Sequence, residues 1–308
     1  MHRSIQVAVQ SGKTLLLLEE LKQQRTVIGL NVNYNASVKP AGDVVQIYVL
    51  NRGVDDVLRI VQSHTVDDNF SIATAEISSL NAPEHQKLIN DDIDEAIWEE
   101  METGLRHNGH ITSNFLILMA MGGAISATGF VVPAPEQALA FVAASIIAPG
   151  LEPLAKIPLG ISLRSKDVLI AGLKASIAGY FVLMLSAAVT FNILIFTGSS
   201  SADEFLSDLF LQSLTKFQLK GMLISLSAAI ASITMYLAYR RNVIAGPLVV
   251  LVIIPSVAGA AISLTIGQMS MFVELMGRFA TDFLLILVSG IILIALKQKL
   301  VHKRKTLR

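Results

Sequence analysis

The sequence predicts an α-helical polytopic membrane protein: six spans form a 3+3 inverted repeat with proline-broken helices, preceded by a cytoplasmic α+β domain. Its 308 residues are 53% hydrophobic and only 16% charged, with a mean hydropathy of +0.60. That composition is typical of a largely membrane-embedded chain. Residues 113–297 are almost continuously apolar, whereas 1–110 alternate like a soluble domain. Zero net charge gives no indication of a nucleic-acid partner, and the lack of cysteine excludes disulfides and thiolate sites.

Residues 1–80 are predicted to form a ferredoxin-like domain. Strands are expected where apolar and polar residues alternate, and helices where apolar residues recur every three or four positions. The predicted elements are strand 4–9, helix 13–24, strands 26–34 and 44–51, helix 54–64 and strand 70–77. This order, βαββαβ, is that of the split βαβ arrangement.

A predicted amphipathic linker helix occupies most of residues 81–112. Its apolar residues recur every four positions, at Ile89, Ile93, Ile97 and Met101. That spacing gives a single apolar stripe on an otherwise polar helix. We expect the stripe to pack on the small domain or on a neighbouring subunit.

Six membrane spans are predicted within 113–297, because a span needs about 20 apolar residues. The candidates are 113–132, 136–162, 167–197, 218–239, 243–266 and 272–296. Basic residues flank them on one side, at Arg106, Arg164, Lys166, Arg240, Arg241 and throughout the tail 298–308. The positive-inside rule then predicts cytoplasmic N- and C-termini in the cytoplasmic (inner) membrane of a prokaryote. Lys216 and Lys220 depart from this pattern and are interpreted as snorkelling side chains.

The two halves of the membrane segment resemble each other. Ala124-Ile125 matches Ala229-Ile230 at a spacing of 105, and Pro149 matches Pro255 at a spacing of 106. Each repeat holds three spans, so the second copy is expected to be inverted. Inverted repeats with interrupted helices are typical of secondary transporters that bind substrate near the bilayer midplane. The alternative is a simple proline kink in a packed bundle.

Charged residues lie inside two of the predicted spans. Glu152 and Lys156 are four apart in the second span, and Arg278 and Asp282 are four apart in the sixth. A charge at mid-span costs at least about 2.5 kcal/mol, so these side chains are expected to face an interior. Prolines free backbone carbonyls that are tolerated where they line a cavity. The candidate ion- or substrate-binding residues are therefore Glu152, Lys156, Arg278, Asp282, Pro149, Pro153 and Pro255. The alternative for the charges is two structural ion pairs.

A second candidate site is the segment Gly12-Lys13-Thr14, which lies between a predicted strand and a helix. It resembles the end of a P-loop, but Val7 stands where that motif needs glycine. An ordinary β–α turn is the more common interpretation. The functional one is a regulatory anion at the helix N-terminus.

An enzyme is not expected. Every histidine lies outside the predicted spans, and neither HExxH nor a Gly-x-Ser-x-Gly elbow occurs. No metal site is predicted, and no cofactor is indicated.

Residues 144–167, ASIIAPGLEPLAKIPLGISLRSKD, resemble domain-of-unknown-function family 389, a family of hydrophobic bacterial and archaeal membrane proteins. The matching residues are Ala148, Pro149, Pro153, Gly160 and Asp167, and later Gly246, Pro255, Ala258 and Gly259. Two features depart from the family pattern: an Asn-Ser after the first span is absent, and Glu152 stands where an apolar residue is expected. The family has no agreed function, so the resemblance implies a membrane fold alone.

The expected function is a transporter or channel for a small ion or polar solute, regulated by the cytoplasmic domain. The alternative is a membrane-anchored ligand sensor or oligomeric scaffold without transport. A homo-oligomer in a lipid bilayer is expected in either case. An intramembrane enzyme is the least favoured class.

Overall fold

The protein is mostly helical, with a small antiparallel sheet near its N-terminus. A computed structural model describes residues 2–65, 69–92, 97, 110–216, 218–238 and 245–300, the side chains of 245–250 excepted. The chain divides into two compact units, Met1–Glu100 with Lys297–Arg308, and Met101–Leu296.

The first unit contains the six elements predicted for residues 1–80, in the predicted order. They are β1 (His2–Val9), α1 (Ser11–Lys22), β2 (Val27–Val38), β3 (Ala41–Val49), α2 (Val54–Ser63) and β4 (Ser71–Ile77). The strands form one sheet in the order β2-β3-β1-β4, and every neighbouring pair is antiparallel.

Alternation along the strands builds the core of this unit. Ile5, Val7 and Val9 of β1 are fully buried, and they pack with Leu17 of α1 and Val57 of α2. Each such side chain contributes about 1.5–3 kcal/mol when it is removed from water. Both helices are therefore held against the sheet by their apolar faces.

The linker helix predicted for 81–112 is only partly described. A 3₁₀ turn at Pro83–His85 leads into α3 (Gln86–Asn90). Ile89 is buried, and Ile97 is fully buried in the core of the sheet unit. The remaining stripe positions, at 93 and 101, lie outside the described residues.

The second unit is helical. Its helices are α4 (Ser113–Gly129), α5 (Ala134–Ile147), α6 (Leu151–Ser162), α7 (Lys166–Phe196), α8 (Ala202–Ser207), α9 (Leu209–Thr215), α10 (Leu219–Leu237), α11 (Ala245–Thr265) and α12 (Met269–Leu300). In the described part, α7, α10 and α12 are each long and apolar enough to cross a membrane. The bent pair α5–α6 also qualifies if it is a single span, and α4 and Leu251–Thr265 are shorter apolar helices. These helices indicate a multi-pass membrane protein in a lipid environment.

Contacts between α4 and α7 show that these helices run in the same direction. Phe115 of α4 lies against Gly179 of α7, and Gly123 lies further along against Leu183. Because the two helices are parallel, the end of α4 and the start of α7 lie at opposite ends of the bundle. The pair α5–α6 therefore carries the chain back along the bundle.

The same relation holds between α10 and α12. Gly221 of α10 lies beside Arg278 of α12, and Ile233 lies beside Gly290. Helix α11 must then run back between them. Residues 253–263 of α11 are all buried, and the helix packs against α4, α5, α6, α7, α9 and α10. It is the centre of this unit.

The structure differs from the sequence prediction at Pro255. A break was expected there, but α11 continues through it as one helix. Proline removes one hydrogen bond of the helix ladder. The helix tolerates this loss because it is enclosed by neighbours, and the Ser256 hydroxyl donates to the carbonyl oxygen of Val252 at 2.7 Å. Of the two matched proline segments, only the one at Pro149 is broken.

Candidate functional site

The break between α5 and α6 lies at residues 148–150. Ala148 is extended, with φ −80° and ψ 120°, as expected for a residue before proline. The two helices meet at a bend of 50°. Pro153 falls in the first turn of α6, where a missing backbone N–H costs no hydrogen bond. The predicted interruption at Pro149 is therefore present.

A tyrosine from α7 hydrogen-bonds to the backbone at this break. The Tyr180 hydroxyl donates to the carbonyl oxygen of Gly150 at 3.2 Å. Its ring lies against Phe279 of α12, with centroids 5.2 Å apart. Tyr180 was not among the residues predicted from the sequence. The only signal available was a hydroxyl-bearing aromatic inside an apolar span, where such a group normally finds a partner.

Glu152 and Lys156 lie on the half-helix that follows the break. Glu152 is partly buried and Lys156 is 1% exposed, and the two interact electrostatically. Helix α7 approaches closely here because position 172 is glycine. A Cβ at Gly172 would lie 2.7 Å from Cβ of Lys156 and 3.0 Å from the carbonyl oxygen of Pro153.

Arg278 and Asp282 form a buried ion pair, as their spacing of four predicts. Arg278 Nε donates to Asp282 Oδ2 at 3.0 Å, and the two side chains are 5% and 3% exposed. Arg278 Nη2 also donates to Ser225 Oγ at 2.7 Å and to the carbonyl oxygen of Gly221 at 3.3 Å. This network joins α12 to α10. Sequence reasoning missed Ser225, because a lone serine in an apolar span gives little signal.

The Tyr180–Phe279 contact connects the two charged pairs. Tyr180 bonds to the backbone at the break, and Phe279 is the residue after Arg278. Pro255 lies on α11, which packs against both helices that flank Pro149. The candidate residues of the second unit are thus distributed over α6, α11 and α12.

The carboxylate of Asp43 already engages the turn at Gly12-Lys13-Thr14. Its Oδ2 accepts from the Thr14 hydroxyl and its Oδ1 from the Ser11 hydroxyl, both at 2.7 Å. Oδ1 also accepts from the backbone N–H of Asn35 at 2.8 Å. Burial raises the pKa of Asp43, but these hydrogen bonds outweigh it and leave the pKa below its usual value. The Asp43 carboxylate therefore already accepts the hydrogen bonds from the hydroxyls that a bound anion would use.

Residues 146–288 match the family model described as "Domain of unknown function (DUF389)". This segment is therefore similar to that family, and it is called the DUF389 domain below. The predicted resemblance is thus confirmed, and the later group of matching residues, from Gly246 to Gly259, lies inside the matched segment. The DUF389 domain begins just before the break and ends beyond Asp282, so it contains both charged pairs. No curated protein and no solved structure matches the chain.

Within the described part of the chain, no group of three or more histidine, aspartate or glutamate side chains is placed to hold a metal ion. The DUF389 domain offers hydroxyl, carboxylate and carbonyl oxygens instead. Such groups can bind polar solutes or ions with oxygen-rich coordination.

Proposed function

We propose that the protein is a membrane transporter or channel for a small ion or polar solute. The observation that carries this proposal is the interruption at 148–150 inside an otherwise apolar helix pair. The half-helix that follows this interruption carries Glu152, which is partly buried, in its first turn. Interrupted helices at membrane depth are tolerated where they are buried in protein or line a cavity, and transporters use them to bind substrates.

Helix directions support six crossings in two inverted halves. The first half consists of α4, the broken pair α5–α6, and α7; the second consists of α10, α11 and α12. In each half the outer two helices run the same way, so the middle element returns. Three crossings in each half give the second half the opposite orientation. The basic loops support cytoplasmic N- and C-termini in a prokaryotic inner membrane.

The small domain is proposed to regulate this activity. Its antiparallel sheet order, β2-β3-β1-β4, supports a ferredoxin-like fold. The edge strands β2 and β4 offer backbone groups through which copies could pair in a homo-oligomer. In this proposal the domain senses the state of the cell or of its neighbours rather than catalysing a reaction.

Flux through liposomes that contain the purified protein tests the proposal. Glu152→Gln is expected to alter flux or its pH dependence while the protein remains folded. Asp282→Asn is expected to alter flux as well, with a lower thermal midpoint because it leaves Arg278 unpaired. Glu136→Gln is the matched control, because Glu136 is exposed in the first turn of α5. Folded variants with unchanged flux would refute the site. A ligand-dependent conformational change without any flux would favour a membrane-anchored sensor instead.

A further inference from the structure

Buried polar atoms without partners follow the internal repeat. In the described part of the second unit, buried oxygens lacking a hydrogen-bond partner belong to Ser126, Ser162, Ser176, Ser232 and Asp282. Four of the five form two pairs, 126 with 232 and 176 with 282, each separated by 106 positions. Pro149 and Pro255 have the same spacing. The two repeats of the second unit therefore leave oxygen atoms without partners at equivalent positions.

The second of these pairs lies on α7 and α12, two helices that contact each other through Tyr180 and Phe279. Gly290 lies against Pro158 of α6, while Phe279 lies against Tyr180, which bonds to Gly150. Helix α12 therefore runs alongside α6 in the same direction.

Helix α7 runs the opposite way, because Gly160 of α6 packs on Leu169 while Pro153 packs on Gly172. Ser176 precedes Tyr180 by four residues, and Asp282 follows Phe279 by three. Because α7 and α12 run in opposite directions, both residues are displaced by about one turn in the same direction from the Tyr180–Phe279 contact.

The first turn of α6 lies at the same height along the bundle as Ser176 and Asp282. On α7, Gly172 packs on Lys156 and Pro153, and Tyr180 bonds to Gly150. Ser176 lies between those two contacts on the same helical face. Ser176 therefore lies on the face of α7 that packs on the turn containing Glu152, and its hydroxyl is buried.

The free atoms are suited to a cation. Asp282 is 2% exposed and accepts from Arg278 through Oδ2, which leaves Oδ1. Ser225 also interacts with this carboxylate, but no hydrogen bond from the described residues reaches Oδ1. A carboxylate oxygen accepts and cannot donate, so its missing partner is a donor or a positive charge. An anion does not fit at this atom.

The local charge favours a monovalent ion. Glu152 interacts with Lys156, and Asp282 is paired with Arg278, so the cluster has little net negative charge. Divalent cations usually gather several carboxylates, whereas hydroxyl and carbonyl oxygens suffice for a weakly charged ion. We propose that Ser176 Oγ and Asp282 Oδ1, with Glu152, bind a partly dehydrated monovalent cation between α7 and α12. This inference rests on the proposed transport function and specifies its ligand.

Cation-dependent stability of the full chain in detergent tests the proposal. The thermal midpoint is expected to rise with NaCl or KCl, relative to choline chloride at equal ionic strength, because a ligand of the folded state stabilises it. Ser176→Ala removes a hydroxyl that has no hydrogen-bond partner among the described residues, so the variant is expected to fold. Its half-saturating cation concentration should rise roughly tenfold or more.

Ser186→Ala is the matched control on the same helix. The Ser186 hydroxyl donates to the carbonyl oxygen of Ala120 at 2.6 Å, so its loss should lower the midpoint equally in every salt. A wild-type midpoint that does not respond to sodium or potassium overturns the proposal, as does an unchanged half-saturating concentration in Ser176→Ala. Cation binding without flux would support this site and refute transport. Flux of a solute without cation binding would support transport and refute this site.

Discussion

Removal of the Arg278 guanidinium should destabilise the protein strongly, because Asp282 would lose its counter-charge in a buried position. Nε and Oδ2 are 3.0 Å apart, and the side chains are 5% and 3% exposed. Their attraction is about 5 kcal/mol at an effective dielectric constant of about 20. Much of it offsets desolvation, yet breaking such a pair from one side typically costs about 3–5 kcal/mol. Arg278→Met therefore removes the charge and retains much of the volume.

The thermal midpoint of the purified protein measures this effect. A loss of about 3–5 kcal/mol corresponds to a decrease of roughly 6–20 °C for a unit of this size. The double variant Arg278→Met/Asp282→Leu should recover most of that loss, because it leaves no uncompensated charge. Lys220→Met is the control, since Lys220 is exposed at the start of α10.

Two results would refute this reasoning. One is an Arg278→Met midpoint equal to that of the wild type, which would mean that the pair is solvated or contributes nothing. The other is a double variant as unstable as the single one. That result would assign the loss to the hydrogen bonds with Ser225 and Gly221 rather than to the unpaired carboxylate.

Three further outcomes are expected. The pKa of Asp43 lies below the usual 3.8, so its ionised carboxylate stabilises the sheet unit. This stabilisation is complete above about pH 4 and is lost as the pH falls through the lowered pKa. Circular dichroism of unfolding should show wild type and Asp43→Asn converging towards about pH 2, and a constant difference would contradict it. Gly123→Ala places a Cβ against a backbone carbonyl of α7 and should cost about 1–3 kcal/mol in thermal unfolding; Gly12→Ala, with nothing within 4 Å, should change stability by about 0.5 kcal/mol at most. Ser200→Cys should react with an impermeant thiol reagent outside intact cells while Ser165→Cys is protected, and the reverse pattern would overturn the proposed orientation.

The sequence predicted those elements whose pattern is local. The strands of the first unit alternate between core and surface, as Ile5, Val7 and Val9 do, and the i, i+4 spacing of Arg278 and Asp282 placed them on one helical face. These features need only the periodicity of one strand or helix.

Features that depend on neighbours were missed or wrong. Pro149 and Pro255 look alike in sequence, yet only the first interrupts a helix. The helix at Pro255 is enclosed by other helices. Whether it breaks or continues depends on those neighbours, which the local sequence does not show. The hydroxyls of Ser176, Tyr180 and Ser225 acquire their roles only from what the fold places opposite them. The six-span count and the inverted repeat stay predictions.

The burial of residues 253–263 within α11 has a consequence for biogenesis. Its neighbours α4 to α7, α9 and α10 precede it in the chain and leave the ribosome earlier, whereas α12, whose Leu275 lies against Gly259, follows it. As an uncharged apolar stretch, 251–265 can partition into the bilayer without help. Its final position, however, lies mostly among helices that precede it. A late step of assembly is therefore expected to be the exchange of lipid for protein around this one helix, with those neighbours separating to admit it.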